Sequence, residues 1–377
     1  MKRSSYWIIQ LKRAGAVAAA GVVLLLVVLL LLFSKEVAQG VAHGLTVCLE
    51  VVIPSLFCFI ALSGLIMRTK LSSWMFKPVA GMVSRLYGVK KHHAAIVLLS
   101  MVGGYPVGAK LISDAVKDNE LTQKEARRML CFCVNSGPAF IIGSVGIPVF
   151  GSVRAGMMIF ASHLIASFVI AQVTRKNRDT TPGCECPLAK QDFPSALVDA
   201  VQSAARSMTL ICCFVLVFSA VNTILTQTGA VNLLCSSLSE IIPPELARSA
   251  LFGVLEVTNG CLALSSRFGG TAVLLASGMT AFGGLCVHMQ VKAILRGTGV
   301  KMGAFVLTRL GYTMVSVAVT AGLLFLFPDA VQTGAFAPGV SAQVSSATIP
   351  ASIFLLILCV LLLLSAKKSV TIKKKDS

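Results

Sequence analysis

Charge is scarce in this sequence, and negative charge is scarcest: 15 Asp and Glu stand against 33 Lys and Arg among 377 residues, and charged residues make up only 13%. With 56% hydrophobic residues and a mean hydropathy of +0.85, there is too little charge to cover a water-soluble surface, which excludes an ordinary soluble protein. Zinc-ligand spacing is also missing. The twelve Cys fall singly or in close pairs (Cys131/Cys133, Cys184/Cys186, Cys212/Cys213), most of them inside apolar runs where they act as small hydrophobes, so no disulfide framework emerges. Cys184-x-Cys186-Pro187 offers two thiolates and no nearby His, too few ligands for a zinc site. There is no His-Glu-x-x-His and no Gly-x-Ser-x-Gly, so nothing supports a hydrolase or any other enzyme. The formal net charge of +18 would suggest a nucleic-acid partner in a soluble chain. Here it reads as loop charge facing anionic lipid.

Long apolar runs are what the chain has in abundance. The first, Ala14 to Phe33, follows a basic start with Lys2, Arg3, Lys12 and Arg13. It is too long for a signal-peptide core and no small-residue cleavage site follows, so it reads as an uncleaved anchor. Seven further spans are expected at Val51–Met67, Met129–Phe150, Arg154–Val173, Ala205–Leu225, Thr271–Gln290, Gly303–Phe327 and Pro350–Ala366. Two more segments, Ala94–Ser113 and Leu246–Ser266, are apolar but broken by Gly, Pro and polar residues. They read as re-entrant hairpins, since irregular backbone at membrane depth survives only where protein or a watery cavity satisfies it. The expected fold is therefore an all-α polytopic membrane protein of about eight transmembrane helices plus two re-entrant hairpins.

Charge orients these spans. The N-terminus, the segments 68–93, 110–128, 174–196 and 291–301, and the C-terminal tail hold 27 of the 33 Lys and Arg, and all fall on one side. The opposite side keeps Lys35, Arg154, Arg248 and Arg267, and its 328–349 loop has no Lys or Arg. Arg206 and Arg309 lie towards the cytoplasmic ends of spans, where snorkelling satisfies them. This bias places both termini in the cytoplasm.

An internal repeat follows. A span, an interrupted hairpin, a span with a polar break and a full span occur in that order in 37–173 and again in 197–327. The first copy runs inward and the second outward, so the two repeats are inverted. Around them lie a basic segment and anchor (1–36), a cytoplasmic linker (174–196), an external loop (328–349) and a last helix with a basic tail (350–377). Ser136-Gly137 with Gly143 answers to Ser277-Gly278 with Gly284, and Gly108 answers to Gly260. Inverted repeats with broken helices are how many secondary transporters place a site near the bilayer midplane.

The breaks hold the candidate site residues. In the first hairpin, Gly103-Gly104-Tyr105-Pro106-Val107-Gly108-Ala109-Lys110 must unwind, freeing backbone N–H groups that attract anions. Lys110 is either a substrate contact or a snorkelling interfacial charge, and the run fails as a phosphate loop because Ala109 occupies the Lys position and Leu111, not a hydroxyl, follows Lys110. Asn135-Ser136-Gly137-Pro138 interrupts an apolar span, so its polar groups either line a cavity or stitch helices. Their counterparts are Glu256, Thr258, Asn259 and Gly260, followed by Ser277, Gly278, Gly283, Gly284, His288 and Gln290. Glu256 either binds a coupling proton or Na⁺, or is a protonated structural acid. Glu50 falls near the external interface, and His163 reads as a helix-to-helix hydrogen-bond partner.

Gly104-Tyr105-Pro106-x-Gly108-Ala109-Lys110, Asn135-Ser136-Gly137-Pro138-x-Phe140-Ile141-Ile142-Gly143, Leu255-Glu256-x-Thr258-Asn259-Gly260 and Gly283-Gly284-x-x-Val287-His288-x-Gln290 together resemble the sporulation integral membrane proteins of the YlbJ type. Those carry nucleoside-recognition Gate domains and are distantly similar to concentrative nucleoside transporters. The resemblance spans roughly residues 40–327. It implies a multi-pass protein of the cell membrane of endospore-forming bacteria, placed in the outer forespore membrane and associated with moving dipicolinate towards the forespore. The nucleoside transporters' own substrate motifs are not legible here, so nucleoside specificity does not carry over. The expected function is secondary transport of a small, anionic metabolite with no cofactor beyond a coupling Na⁺ or proton, and with membrane lipid and the small-molecule substrate as partners. A non-transporting scaffold for spore-envelope assembly and a nucleoside transporter are the alternatives.

Overall fold

Every regular element in the computed structural model is a helix among the described residues, which are 17, 20–175 and 191–328. After the apolar α1 (Ala20–Leu32), exposed along nearly its whole length, the chain enters α2 (Ser34–Arg68). At 35 residues, α2 spans about 52 Å at 1.5 Å per residue, well beyond a hydrocarbon core of ~30 Å. It includes a π-helical stretch at Cys48–Val52, and Pro54 sits directly after it, where the local slack absorbs the missing amide. A half-buried surface helix, α3 (Leu71–Tyr87), follows and ends at left-handed Gly88.

Next come α4 (Ala94–Gly103) and α5 (Tyr105–Lys117), a helical hairpin with Gly108 of one arm against Ser100 of the other. The broken helix is α6 (Gln123–Cys133) and α7 (Ala139–Phe150), and α8 (Val153–Val173) completes the set. Local chemistry fixes the starts. Thr122 and Glu125 form a reciprocal capping box on α6, and Ser152 accepts from the Ala155 amide at the head of α8.

The same order then recurs. It runs through the long α9 (Phe193–Gln227), the short α10 (Ala230–Ser237), the hairpin α11 (Pro244–Leu255) and α12 (Val257–Leu262), the broken pair α13 (Gly269–Phe282) and α14 (Gly284–Ile294), and the full helix α15 (Gly303–Leu326). Counterparts pack on counterparts: α2 lies along α9, and α8 lies along α15. The hairpin arm α5 packs on α14, and α6 packs on α15. Between these elements lies one core that includes Met129, Phe132, Ile141, Ile159, Val273 and Phe305, all buried. Exposed Leu, Val, Phe and Met side chains on α1, α8, α9 and α15 leave outer faces suited to acyl chains rather than water.

The all-helical polytopic reading holds. Among the described residues, five stretches are long and apolar enough to cross a membrane: Ser34–Arg68, Val153–Val173, Phe193–Gln227, Ser266–Ile294 and Gly303–Leu326. Of the other expected spans, Ala14–Phe33 is described from Ala20 on, as α1, and Met129–Phe150 is divided between α6 and α7. Pro350–Ala366 lies outside the described residues, as do the 328–349 loop beyond Pro328 and the Cys184/Cys186 pair.

Candidate functional site

Glycine geometry brings the chain breaks together. Gly104 joins α4 to α5 with φ at +82°, a conformation that a side chain would strain, and Pro106 follows in the first turn of α5, where its missing amide costs nothing. Across from it, α6 unwinds at Val134–Gly137. A Cβ on Gly137 would lie 2.9 Å from both the Gly104 nitrogen and the Val102 carbonyl, so hairpin tip and broken helix meet backbone to backbone. The sequence reading assigns Gly108 to the turn itself. The structure corrects this: Gly108 lies in the body of α5, and a Cβ there would overlap the Cys133 carbonyl at the end of α6.

The second half makes a matching contact. Gly283 and Gly284, both with positive φ, separate α13 from α14, and a Cβ on Gly284 would crowd the Gly253 carbonyl at 2.8 Å and that of Leu255 at 3.3 Å. Gly260 passes so close to Gly253 that any side chain would overlap its backbone. Tyr105 bridges the two halves. Its hydroxyl donates to the Thr280 carbonyl, and its ring stands 3.4 Å from where a Gly283 Cβ would be. The four breaks are thus linked contact by contact at one place in the protein.

At the second hairpin, Glu256 is the N-cap of α12. One carboxylate oxygen accepts from the Thr258 amide at 2.9 Å and the other from the Asn259 amide at 2.7 Å, and the side chain is 2% exposed. The amides freed by this break are therefore already bonded to the protein's own carboxylate. At the first break, Asn135 donates from Nδ2 to the Phe132 carbonyl at 2.7 Å and leaves its Oδ1 without a partner. Ser136, 1% exposed, has its hydroxyl beside the Tyr105 phenol but in no well-formed hydrogen bond.

Arg309 occupies the space between the two broken helices. Nη1 donates to the Ala281 carbonyl at 3.2 Å and Nη2 to the Val134 carbonyl, while the guanidinium lies between the rings of Phe305 and Tyr312. It is 1% exposed, so the snorkelling expected from sequence does not occur. Arg206, by contrast, is exposed as expected.

Other expected site residues lie elsewhere. Ser277 joins Ser162, Ser316 and Thr320 in a buried hydroxyl cluster with contacts of 2.8–3.4 Å, which stitches α8, α13 and α15. Gly278 gives α13 a close approach to Val317, and Gln290 donates to Cys286 Sγ at 3.2 Å along its own helix. Asn259 reaches Ser219 of α9 at 3.3 Å, and Thr258 is buried beside it. His163 contacts Thr280 at 3.3 Å and packs edge-on to Tyr312 across helices, as expected. His288 holds the Gly284 carbonyl at 2.7 Å and packs against Phe305. Glu50 is exposed.

Lys110 is paired with Asp114 one turn along α5, and Arg68 approaches the same carboxylate at 3.7 Å. This trio lines a small pocket with Val107 and Ala200, and Arg68 and Asp114 also line a neighbouring cleft of about 230 Å³ with Met67, Lys117, Asp118 and Glu120; no residue of the four breaks lines either one. Among the described residues no group of three or more His, Cys, Asp or Glu is placed to hold a metal ion.

No family model matches the chain. It is 24% identical over 298 residues to the sporulation integral membrane protein YlbJ of Bacillus subtilis (strain 168), an alignment that covers 71% of this chain and 72% of that protein. Among solved structures it is similar to CNTnw in an inward-facing substrate-bound state, at a TM-score of 0.44 and 14% identity, covering 81% of this chain and 86% of that one. The chain is an integral membrane protein similar to the YlbJ-type sporulation proteins, the resemblance that its four motifs carry.

Proposed function

We propose that this protein is a secondary transporter of a small anionic metabolite, with dipicolinate the first candidate, and that it performs no chemical conversion and needs no cofactor beyond a coupling Na⁺ or proton. The observation that carries the reading is the convergence of four helix breaks, two from each half, linked by backbone contacts and by Tyr105 in the protein interior. Unwound backbone is costly in a hydrocarbon environment and persists only where protein, a ligand or a watery cavity satisfies it, and four such breaks meeting at one place is the arrangement a midplane site uses. Under this proposal Gly104, Tyr105, Asn135, Ser136 and Gly137 face the substrate on one side, and Glu256 to Gly260 hold the other side in shape. In this reading segments 37–173 and 197–327 are Gate-like repeats in inverted orientation, the hairpins are re-entrant, and both termini are cytoplasmic. The relative's name, sporulation integral membrane protein, supports a membrane role in sporulation, and the outer forespore membrane is the membrane we propose.

Proteoliposomes containing the full chain test the proposal, with labelled dipicolinate and nucleosides as competing substrates under imposed Na⁺ or proton gradients. Gradient-driven dipicolinate uptake that nucleosides do not block is the expected result. Nucleoside uptake would instead assign the nucleoside-transporter alternative, and no uptake of either, with native thermal stability retained, would favour a scaffold in the spore envelope.

A further inference from the structure

Arg309 has a charge that the fold does not neutralise. Among the described residues no carboxylate forms an ion pair with it, although it is 1% exposed. What surrounds it is two aromatic faces and the carbonyls of Val134 and Ala281, which cap the C-terminal ends of the half-helices α6 and α13. Those helix ends carry partial negative charge and offset part of the cost of burial. They do not use the whole guanidinium, because its Nε–H has no acceptor. The two residues after Val134 are also incompletely bonded, at Asn135 Oδ1 and the Ser136 hydroxyl. Buried polar atoms without partners are rare, and three of them, on Arg309 and on the two residues that follow the carbonyl it binds, need an explanation.

We infer that Arg309 is the counter-charge for the substrate, binding a carboxylate of a small carboxylic acid at the junction of the two broken helices. The inference rests on the transport reading above and names the charge it requires. Guanidinium and carboxylate are matched in shape, and each bond between them is charge-assisted. Because the same guanidinium bonds carbonyls at the C-terminal ends of α6 and α13, an arriving carboxylate competes with those carbonyls. Binding at Arg309 therefore loosens the tie between the two halves, which gives the ligand a direct means of favouring one arrangement of the breaks over another.

The test compares pyridine-2,6-dicarboxylate with its neutral, nearly isosteric diamide, measuring binding to the purified full-length protein by calorimetry and uptake into proteoliposomes. The wild type should prefer the diacid. Arg309→Gln should shrink that preference about tenfold or more, while Arg309→Lys should keep the preference but bind the diacid more weakly for lack of the planar fork. A purely structural arginine would lower stability and leave the ratio of the two ligands unchanged, so an unchanged ratio in a folded Gln variant overturns the inference and leaves the transport reading standing. If the Gln variant does not fold, the Lys variant decides, and wild-type affinity for the diacid overturns the inference. A wild type that prefers the diamide, or binds neither compound, overturns the anion-transport reading and this inference together.

Discussion

Glu256 gives each of its carboxylate oxygens to a backbone amide of α12, and this changes what a mutation there will report. Glu256→Gln turns one acceptor into an NH₂ donor facing an N–H, leaving a buried amide unsatisfied at a cost of ~1–3 kcal/mol. The expected outcome is a lower Tm in detergent together with impaired transport, and a Tm equal to wild type would show that the cap does not hold α12. Gly137 and Gly21 form a second contrast. Gly137→Ala drives a methyl group into the backbone of the first hairpin tip and should destabilise by ~1–3 kcal/mol. Gly21→Val, with nothing within 4 Å, should be nearly silent in the same unfolding assay. Residue roles were only partly legible in the sequence. Glu256 drew attention because an acid within an apolar hairpin needs a reason, but whether its partner was an ion or its own backbone depended on a turn that composition does not reveal. Arg309 lies six residues after the start of α15, about 9 Å along the helix, which in sequence reads as an interfacial charge. The clue was the absence of any Asp or Glu within that helix to pair with it.

At the scale of elements, the hairpins and broken helices were readable because Gly and Pro interrupt apolar runs long enough to make the interruption conspicuous. What could not be read was continuity. The expected boundary between an anchor segment and a span at Val51 is absent, because nothing between Lys35 and Glu50 stops a helix and α2 runs straight through. The pattern matches Ser277 to Ser136, but Ser136 lies in the break after α6 and Ser277 in the body of α13, where three hydroxyls on neighbouring helices meet it. The junction before α4 yields a pH prediction. His93 is buried there with Nε2 at 3.1 Å from the Glu120 carbonyl, and burial, reinforced by neighbouring His92, pushes its pKa down to about 4. The unfolded chain protonates this ring near pH 6.5 and the folded one only near 4, so its contribution is intact above about 6.5 and is lost as pH falls towards 4. Thermal stability should fall by roughly 3 kcal/mol across that window, and His93→Gln should lack this part of the slope.

For the molecule as a whole, charge asymmetry is a long-range signal that survives in sequence, and it makes a topological claim that fusions can check. A reporter inserted after Ala335 should read as external and one placed within 176–190 as cytoplasmic, and a cytoplasmic signal at 335 would remove the inverted arrangement. The fold class and the recurrence of element order were legible because both rest on pattern along the chain. The pairing of α2 with α9 and of α8 with α15 was not, because it depends on surfaces rather than on order.

That pairing bears on how the molecule is assembled. Since the long helix and the last helix of one half each find their main partner in the other half, the seam between the halves runs through the interior, and the covalent linker contributes little to holding it closed. A chain cut between 175 and 191 and co-expressed as two fragments should reunite into one working particle. Either fragment alone would expose the faces that the other fragment buries, which makes aggregation of half-length pieces the natural failure of truncated synthesis.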